Sequence, residues 1–440
     1  MEFAHKRVLI IGLGVSGNAT AHALAARGAA LAMTDQRQDV RRDLLPAGDF
    51  FLGTEDVAAL RGVDLVVPSP GVPPSSLLIR EARAHHLPIM GELELAGRLV
   101  KAPVVAVTGT NGKSTVTMLL GEIFKAACWK TFVGGNLGTP LIEAASGDFD
   151  VLVAEVSSYQ LETTAHFKPK VAIHLNLAED HLDRYRSLEE YGAAKARIFA
   201  NQDQSDWAVL NRDDDHVWRL ASSVGSRIFS FGSSRTRQTP AVWIEGEQIA
   251  YGDRTCHGGV DLTDFRLPGA HNRINAAAAT AAALAMKVSP DAIARALKSF
   301  VGLPHRIELV REKDGVRYVD DSKGTNVGAV VEALAASRAP VVLIAGGVDK
   351  GGSYDPLRAA LPAKVKRVIL IGAAREKMRI ALTGATIIEG VETLAEAVAI
   401  AAQRACAGDT VLLSPACSSF DQFKDYAERG RIFQELVRAL

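Results

Sequence analysis

Residues 104–115 read VVAVTGTNGKST. The first five are apolar or β-branched and form a short buried strand. TGTNGKST (108–115) follows, and a helix is expected over 112–127. Strand, glycine-bearing loop and helix in that order make a phosphate cradle. Backbone N–H groups and a helix N-terminus are then aimed at one anion. The candidate contacts are Gly109, Thr110, Asn111, Gly112, Lys113, Ser114 and Thr115, with Lys113 reaching the outer phosphates and the Ser114 hydroxyl binding Mg²⁺. The stretch departs from the Walker pattern, because Val107 stands where that pattern has its first glycine. A helix cap with an incidental lysine would leave the coincidence of strand, loop, Gly-Lys-Ser-Thr and helix unexplained.

Downstream, VLVAE (151–155) puts Glu155 at the C-terminal end of a buried strand, where open α/β sheets collect ligands. A carboxylate there can hold the Mg²⁺ of MgATP. A strand near 171–175 runs into NLAEDHLDRY (176–185), which carries Asp180, His181 and Asp183. A lysine-bearing helix follows near 187–200. From 205 to 267 the pattern is short strands and turns, with a hairpin over 241–255. Helices are expected near 272–286 and 290–299. The Ala-rich stretches 276–286 and 395–402 read as plain packing surfaces.

Upstream, VLIIGLGVSGNA (8–19) has the dinucleotide-binding spacing, with Gly12, Gly14 and Gly17 after an apolar strand and Asp35 eighteen residues past the last glycine. Alone it indicates an NAD-dependent dehydrogenase. The remaining strands of this block fall near 30–34 and 64–68, with helices near 17–27, 76–86 and 92–100. The last block has strands near 307–311, 317–320, 341–345, 367–371 and 410–414, with helices between.

The chain has 440 residues, too many for one ordinary core. Alternating strands and helices give an α/β fold of three domains. These are an N-terminal Rossmann-like unit (1–92), a central P-loop ATPase-like parallel sheet with a small added β region (93–301), and a C-terminal Rossmann-like unit (302–440). Fifty basic residues balance fifty acidic ones, which argues against nucleic-acid or anionic-membrane partners. The N-terminus enters a strand directly, so no signal peptide is expected and the location is cytoplasmic. Cys128, Cys256, Cys406 and Cys417 form no C-x-x-C pair and are expected to be small buried hydrophobes in a reducing compartment, with no structural zinc.

GTNGKST, AEDHLDRY and SLEEYGAAKARIF, in that order, resemble the Mur ligase family, the ATP-dependent amide-bond ligases of peptidoglycan synthesis. The resemblance covers all three blocks and continues through HNRINAAAA (271–279), PHRIE (304–308), DDSKGTN (320–326) and SPACSSFDQFKDYAERG (414–430). Within the family the chain looks most like the member that joins D-glutamate to UDP-N-acetylmuramoyl-L-alanine. The D-N-P-R string typical of the relative that adds diaminopimelate or lysine is absent.

The resemblance implies an acyl phosphate made from ATP, then a tetrahedral intermediate. It implies ATP, two Mg²⁺ sites, small-molecule substrates and a monomer. Lys113, His181 and Lys195 would be catalytic. Ser114 and Glu155 would hold the first metal and His181 a second one beside the reacting carboxylate. Lys195 would be a metal ligand as its CO₂-derived carbamate. Asn272, Asn275, His305, Arg306, Asp321 and Lys323 would join the phosphate loop around ATP. Val15, Ser16, Gly17, Asp35, Gln36, Arg37, Gly71, Asn136 and His181 would bind the UDP substrate, so the first glycine turn would hold UDP rather than NAD. Thr325, Lys350, Ser419 and Tyr426 would hold D-glutamate, with the register at Asp349 and Lys350 open by one position. Tyr426 adds a hydroxyl where an aromatic is expected. The alternatives are another Mur ligase of different amino-acid choice, a folylpolyglutamate synthase-like ligase, an inactive scaffold or, from the first block alone, the dehydrogenase.

Overall fold

A computed structural model describes residues 3–237, 240–252 and 257–440. Among the described residues nineteen strands lie in three sheets. The first sheet holds β1 (Arg7–Ile11), β2 (Ala30–Asp35), β3 (Asp49–Leu52) and β4 (Leu65–Pro68), in the order β3-β2-β1-β4 and all parallel. The order reverses beside β1, so the loops after β1 and β4 face each other across a crevice, the usual ligand position in such sheets. Ser69 bridges it by donating to the Gly12 carbonyl at 2.7 Å.

The central sheet comprises β5 (Val104–Thr108), β6 (Thr131–Gly135), β7 (Val151–Glu155), β8 (Val171–His174), β9 (Trp207–Asn211), β10 (Arg227–Gly232), β11 (Ala241–Glu245), β12 (Gln248–Gly252) and β13 (His257–Asp261). Their order is β13-β12-β11-β10-β9-β8-β5-β7-β6, parallel up to β11 and closed by the antiparallel β12 and β13. β5 lies between β7 and β8, which brings the phosphate loop, Glu155 and the 176–185 loop to one sheet edge. The hairpin forms where expected, although 253–255 and Cys256 lie outside the described residues.

The third sheet contains β14 (Glu308–Lys313), β15 (Val316–Asp320), β16 (Val341–Gly346), β17 (Val365–Ile371), β18 (Ile387–Gly390) and β19 (Thr410–Leu413), in the order β14-β15-β19-β16-β17-β18. The three adjacent parallel strands β15, β19 and β16 send their C-terminal loops, 321–326, 414–419 and 347–352, to one edge.

The helix Lys113–Ala126 covers the central sheet with Val116, Leu119, Leu120, Ile123 and Phe124, all fully buried. Ala270–Ala285 packs against that helix and against β9, β10 and β11. Its alanines at 276–279 and 281–283 are fully buried, and their small side chains permit the close approach. The helix expected near 187–200 is α-helical only over Leu188–Ala196 and tightens to 3₁₀ geometry over Arg197–Phe199. Of the cysteines, Cys417 is buried as expected, whereas Cys128 and Cys406 are exposed. Cys128 adopts φ +64° just past a helix end, which turns it outward. No helix among the described residues is long and apolar enough to cross a membrane.

Candidate active site

The phosphate loop folds as its glycines require. Gly112 caps the helix at φ +81°, where a Cβ would come within 2.4 Å of Asn275 Oδ1. A Cβ on Gly109, at φ +149°, would meet Leu175 at 2.9 Å. Asn176, which the sequence analysis did not single out, clamps the loop. Its Oδ1 accepts from the N–H groups of Thr110 (3.1 Å) and Asn111 (2.8 Å). The Thr110 hydroxyl donates to the Ala178 carbonyl at 3.2 Å. The only available signal was an Asn just past a strand, a residue type that caps backbone N–H groups.

Two lysines converge on this loop. Lys113 Nζ donates to the carbonyls of Gly109 (2.9 Å) and Thr110 (2.8 Å). Lys195 Nζ reaches the same Gly109 carbonyl at 2.8 Å and lies 4.4 Å from the Tyr191 ring centre. Burial lowers the Lys113 pKa, against the pull of Glu155 and Asp180, and Lys350 and Lys323 lower it further. Lys195 is 1% exposed, and burial, then Lys113, hold its amine well below the ordinary lysine value. Neither lysine forms an ion pair among the described residues, so the Lys113 side chain is left to meet a negative charge brought into the pocket.

Glu155 is buried with both oxygens engaged. Ser114 Oγ donates to one at 2.6 Å and Asn136 Nδ2 to the other at 2.8 Å. A hydroxyl and a carboxylate side by side are oxygen donors suited to Mg²⁺. Asn136 therefore stands on the Glu155 side of the site. His181 adopts φ +57°, and its Nδ1 pairs with the Tyr159 hydroxyl at 2.9 Å. Burial lowers its pKa to about 4, leaving a neutral imidazole able to ligate.

The third domain closes over this edge. Asn326 Nδ2 donates to Asn111 Oδ1 (3.0 Å) and to Asp180 Oδ2 (3.2 Å). Lys350 Nζ lies 3.2 Å from Asp180 Oδ1 and 3.4 Å from Thr325 Oγ1. Burial alone would raise Asp180, but Lys350, then His181 and Lys113, keep its pKa lowered. Asp349 points elsewhere, to Lys377 (2.5 Å) and the Tyr354 hydroxyl (2.7 Å), so Lys350 is the residue of the pair directed at the central domain. A cleft of about 380 Å³ runs between Glu179–Asp180 and the Asn326, Lys350 and Tyr354 region. Lys323 donates to the Tyr426 hydroxyl at 2.9 Å, which gives that additional hydroxyl a use. Ser419 is buried nearby in the 414–425 segment.

Other expected ATP residues divide. Asn275 lies against Gly112, and its amide donates to Asn272 Oδ1 at 3.3 Å. His305, by contrast, is buried with Nδ1 2.6 Å from Asp320, and Gln434 bonds the same carboxylate. Asp321 is fully buried, accepts from Ser414 Oγ at 2.7 Å, and has Arg306 Nη1 3.8 Å away. Burial, opposed by Arg306, raises its pKa to about 6. All of these partners lie in the third domain, so these contacts hold His305 and Asp321 within that domain.

In the first domain Asp35 fastens the glycine turn. Its Oδ2 accepts from Leu13 N–H at 2.7 Å, and its Oδ1 from the Arg37 N–H at 2.9 Å. The Arg37 guanidinium covers both oxygens at 3.1 Å. Burial would raise Asp35, but the Arg37 and Leu13 bonds bring its pKa down. Val15 is 71% exposed beside Ser16 at the helix start, while Gly17 is buried against Gly12. Gly71 lines both a cleft of about 180 Å³, which includes Asp35 and Gln36, and a larger one of about 1100 Å³. The larger cleft runs to the central domain past Arg83, Tyr159 and Arg186.

Three family models match in sequence along the chain. They are the Mur ligase MurD-like N-terminal domain over 6–91, the Mur ligase middle domain over 107–283, and the Mur ligase glutamate ligase domain over 305–417. The chain belongs to the Mur ligase family, ATP- and Mg²⁺-dependent amide-bond ligases of peptidoglycan precursor synthesis. Its full-length relatives narrow the class. It is 47% identical to the UDP-N-acetylmuramoylalanine--D-glutamate ligase of Geotalea daltonii, over 100% of this chain and 99% of that one. It is 45% identical to the enzyme of the same name from Syntrophotalea carbinolica, with the same coverage. In fold it resembles a pseudomurein peptide ligase type C from Methanothermus fervidus, with TM-score 0.63 and 20% identity over 99% and 100% of the two chains.

Proposed function

We propose that this chain joins D-glutamate to UDP-N-acetylmuramoyl-L-alanine in the cytoplasm, with hydrolysis of ATP to ADP and phosphate. The full-length relatives of that name support the substrates. The observation that carries the chemistry is the pair of lysines, half-buried Lys113 and buried Lys195, on the Gly109 carbonyl beside Ser114 and Glu155.

The division of labour follows the domains 1–92, 93–301 and 302–440. The first holds the UDP end between the Gly12–Gly17 turn and Gly71, with Asp35 holding that turn in shape. The second holds the triphosphate on residues 109–115 with Asn272 and Asn275. Ser114, Glu155 and His181 would hold Mg²⁺, which neutralises phosphate charge when bound. Lys195 joins them as a carbamate. A depressed amine pKa favours that reaction, because only the neutral amine attacks CO₂: the new N–C bond replaces an N–H, and a proton is released. The third domain brings Lys323, and its Thr325, Lys350, Ser419 and Tyr426 frame the amino acid.

The substrate carboxylate attacks the γ-phosphorus of ATP, ADP leaves, and the acyl phosphate has a good leaving group. The amine of D-glutamate then attacks the carbonyl, and phosphate departs from the tetrahedral intermediate. Lys113 offsets charge on the transferred phosphoryl group, and closure of the third domain keeps water from the acyl phosphate.

The test is phosphate release from ATP with the UDP-sugar-alanine and a panel of D-Glu, L-Glu, L-Ala and diaminopimelate. D-Glu alone should stimulate release. Stimulation by another member instead would replace the amino-acid assignment.

A further inference from the structure

The Asp425-capped helix Tyr426–Ala439 carries Arg429, whose side chain is fully buried. Among the described residues it forms no ion pair within 4.0 Å. Burial lowers its pKa to about 10. A buried guanidinium without a carboxylate is costly, so what its donors hold has to justify it. They hold backbone and one hydroxyl. Nε donates to Ser322 Oγ at 3.0 Å and Nη2 to the Ser322 carbonyl at 2.9 Å. Nη1 and Nη2 reach the Cys417 carbonyl at 3.4 and 3.3 Å. A Cβ placed on Gly347 would come within 3.3 Å of Nη1, so the third loop packs directly on the guanidinium. The Ser322 hydroxyl in turn donates to the Tyr426 carbonyl at 2.7 Å.

One planar fork therefore meets the loops after β15, β19 and β16. Those loops carry Lys323 and Thr325, Ser419, and Lys350. Tyr426 begins Arg429's own helix.

We infer that Arg429, with Ser322, is the positioning residue that sets the mutual spacing of the groups binding the incoming amino acid. The inference rests on the proposed assignment of Thr325, Lys350, Ser419 and Tyr426 to that site. The loops also bond one another, Val348 with Ser418 at 2.9 and 3.0 Å and Ala416 N–H with the Gly324 carbonyl at 2.9 Å. Arg429 adds one rigid side chain that meets all three, and a shift of about 1 Å in such a site costs up to ~10²-fold. Lysine keeps the charge but cannot replace the fork.

The experiment compares Arg429→Lys and Ser322→Ala with the wild-type enzyme in steady-state kinetics, varying each substrate in turn, and in thermal unfolding. The expected result is a KM for D-glutamate raised about tenfold or more in Arg429→Lys and severalfold in Ser322→Ala. KM for the UDP substrate, which the first domain holds, should stay near wild type in both. A purely structural role would raise KM for D-glutamate and for the UDP substrate together, or lower only the unfolding temperature, and either result overturns the inference. Should Arg429→Lys fail to fold, Ser322→Ala decides alone, since it removes one hydroxyl. If the wild-type enzyme takes a different amino acid, the substrate assignment falls, and the same KM split is then read with that amino acid.

Discussion

At the scale of single residues, the site is organised by burial without counter-charge. Lys195 forms no ion pair among the described residues, and burial holds its amine well below the ordinary lysine value, as the proposed carbamate requires. Lys195→Ala should lower turnover by about 10–100-fold or more, the range that loss of a group supporting a metal site costs. A short carboxylic acid should restore part of it, and full activity in the variant would remove the carbamate from the mechanism. Glu92 shows burial acting on stability. It is 2% exposed and accepts from the Ile142 N–H at 2.8 Å. Burial raises its pKa from 4.5 to about 7. A raised carboxyl favours the fold fully below the unfolded value, and that contribution is lost as pH rises through the folded one. Wild-type stability should therefore fall between pH 4.5 and about 7, by on the order of 3 kcal/mol from this group. Glu92→Gln should flatten that part of a Tm-against-pH curve; an unchanged slope would show that another group titrates there.

At the scale of elements, the first glycine turn leaves no room for a side chain at Gly17. A Cβ on Gly17 would lie 1.9 Å from the Gly12 carbonyl oxygen, a backbone atom that cannot swing aside. Gly17→Ala should weaken UDP binding about tenfold or more and lower Tm by several degrees, as overpacking against backbone does. Titration calorimetry with UDP and a melting curve would check both. Most strands read from the sequence are buried ones, such as β5, β7 and β16, where an apolar run has no other use, although the half-exposed edge strand β14 was read as well. Three strands escaped that reading: β3, β6 and β18. Each is the edge of its sheet or, for β6, its last strand, and each is short and half exposed. An edge strand buries too little to impose a hydrophobic period. The phosphate loop was legible because its chemistry is local. Asn176 and Ser322 were not, because their partners lie 65 and 107 residues away.

At the scale of the whole molecule, the active site is an interface. Asn326 joins Asn111 and Asp180 across the domain boundary, and Ser353 N–H reaches Glu179 at 3.2 Å. Asn326 also caps the helix Val327–Ala336 through Ala329 N–H. Asn326→Asp keeps that cap but sets a second carboxylate beside Asp180. Like charges across an interface cost several kcal/mol, so turnover should fall by about tenfold or more with little change in Tm. Small-angle scattering should show a larger radius of gyration. An unchanged radius with unchanged turnover would mean that this contact does not hold the domains closed.

By itself the sequence determined the three α/β domains, the phosphate loop with Lys113 and Ser114, the Glu155 strand end and the family. Each is written in residues adjacent in the chain, where a hydrophobic period or a glycine spacing acts locally. Only the tertiary structure decided that Lys195 and Lys113 share the Gly109 carbonyl and that Lys350, not Asp349, meets Asp180. It also decided that His305 pairs with Asp320 and Asp321 with Ser414 inside the third domain. Those outcomes depend on burial and on atoms far apart in sequence. A side chain's charge, partner and direction follow from what the fold packs against it.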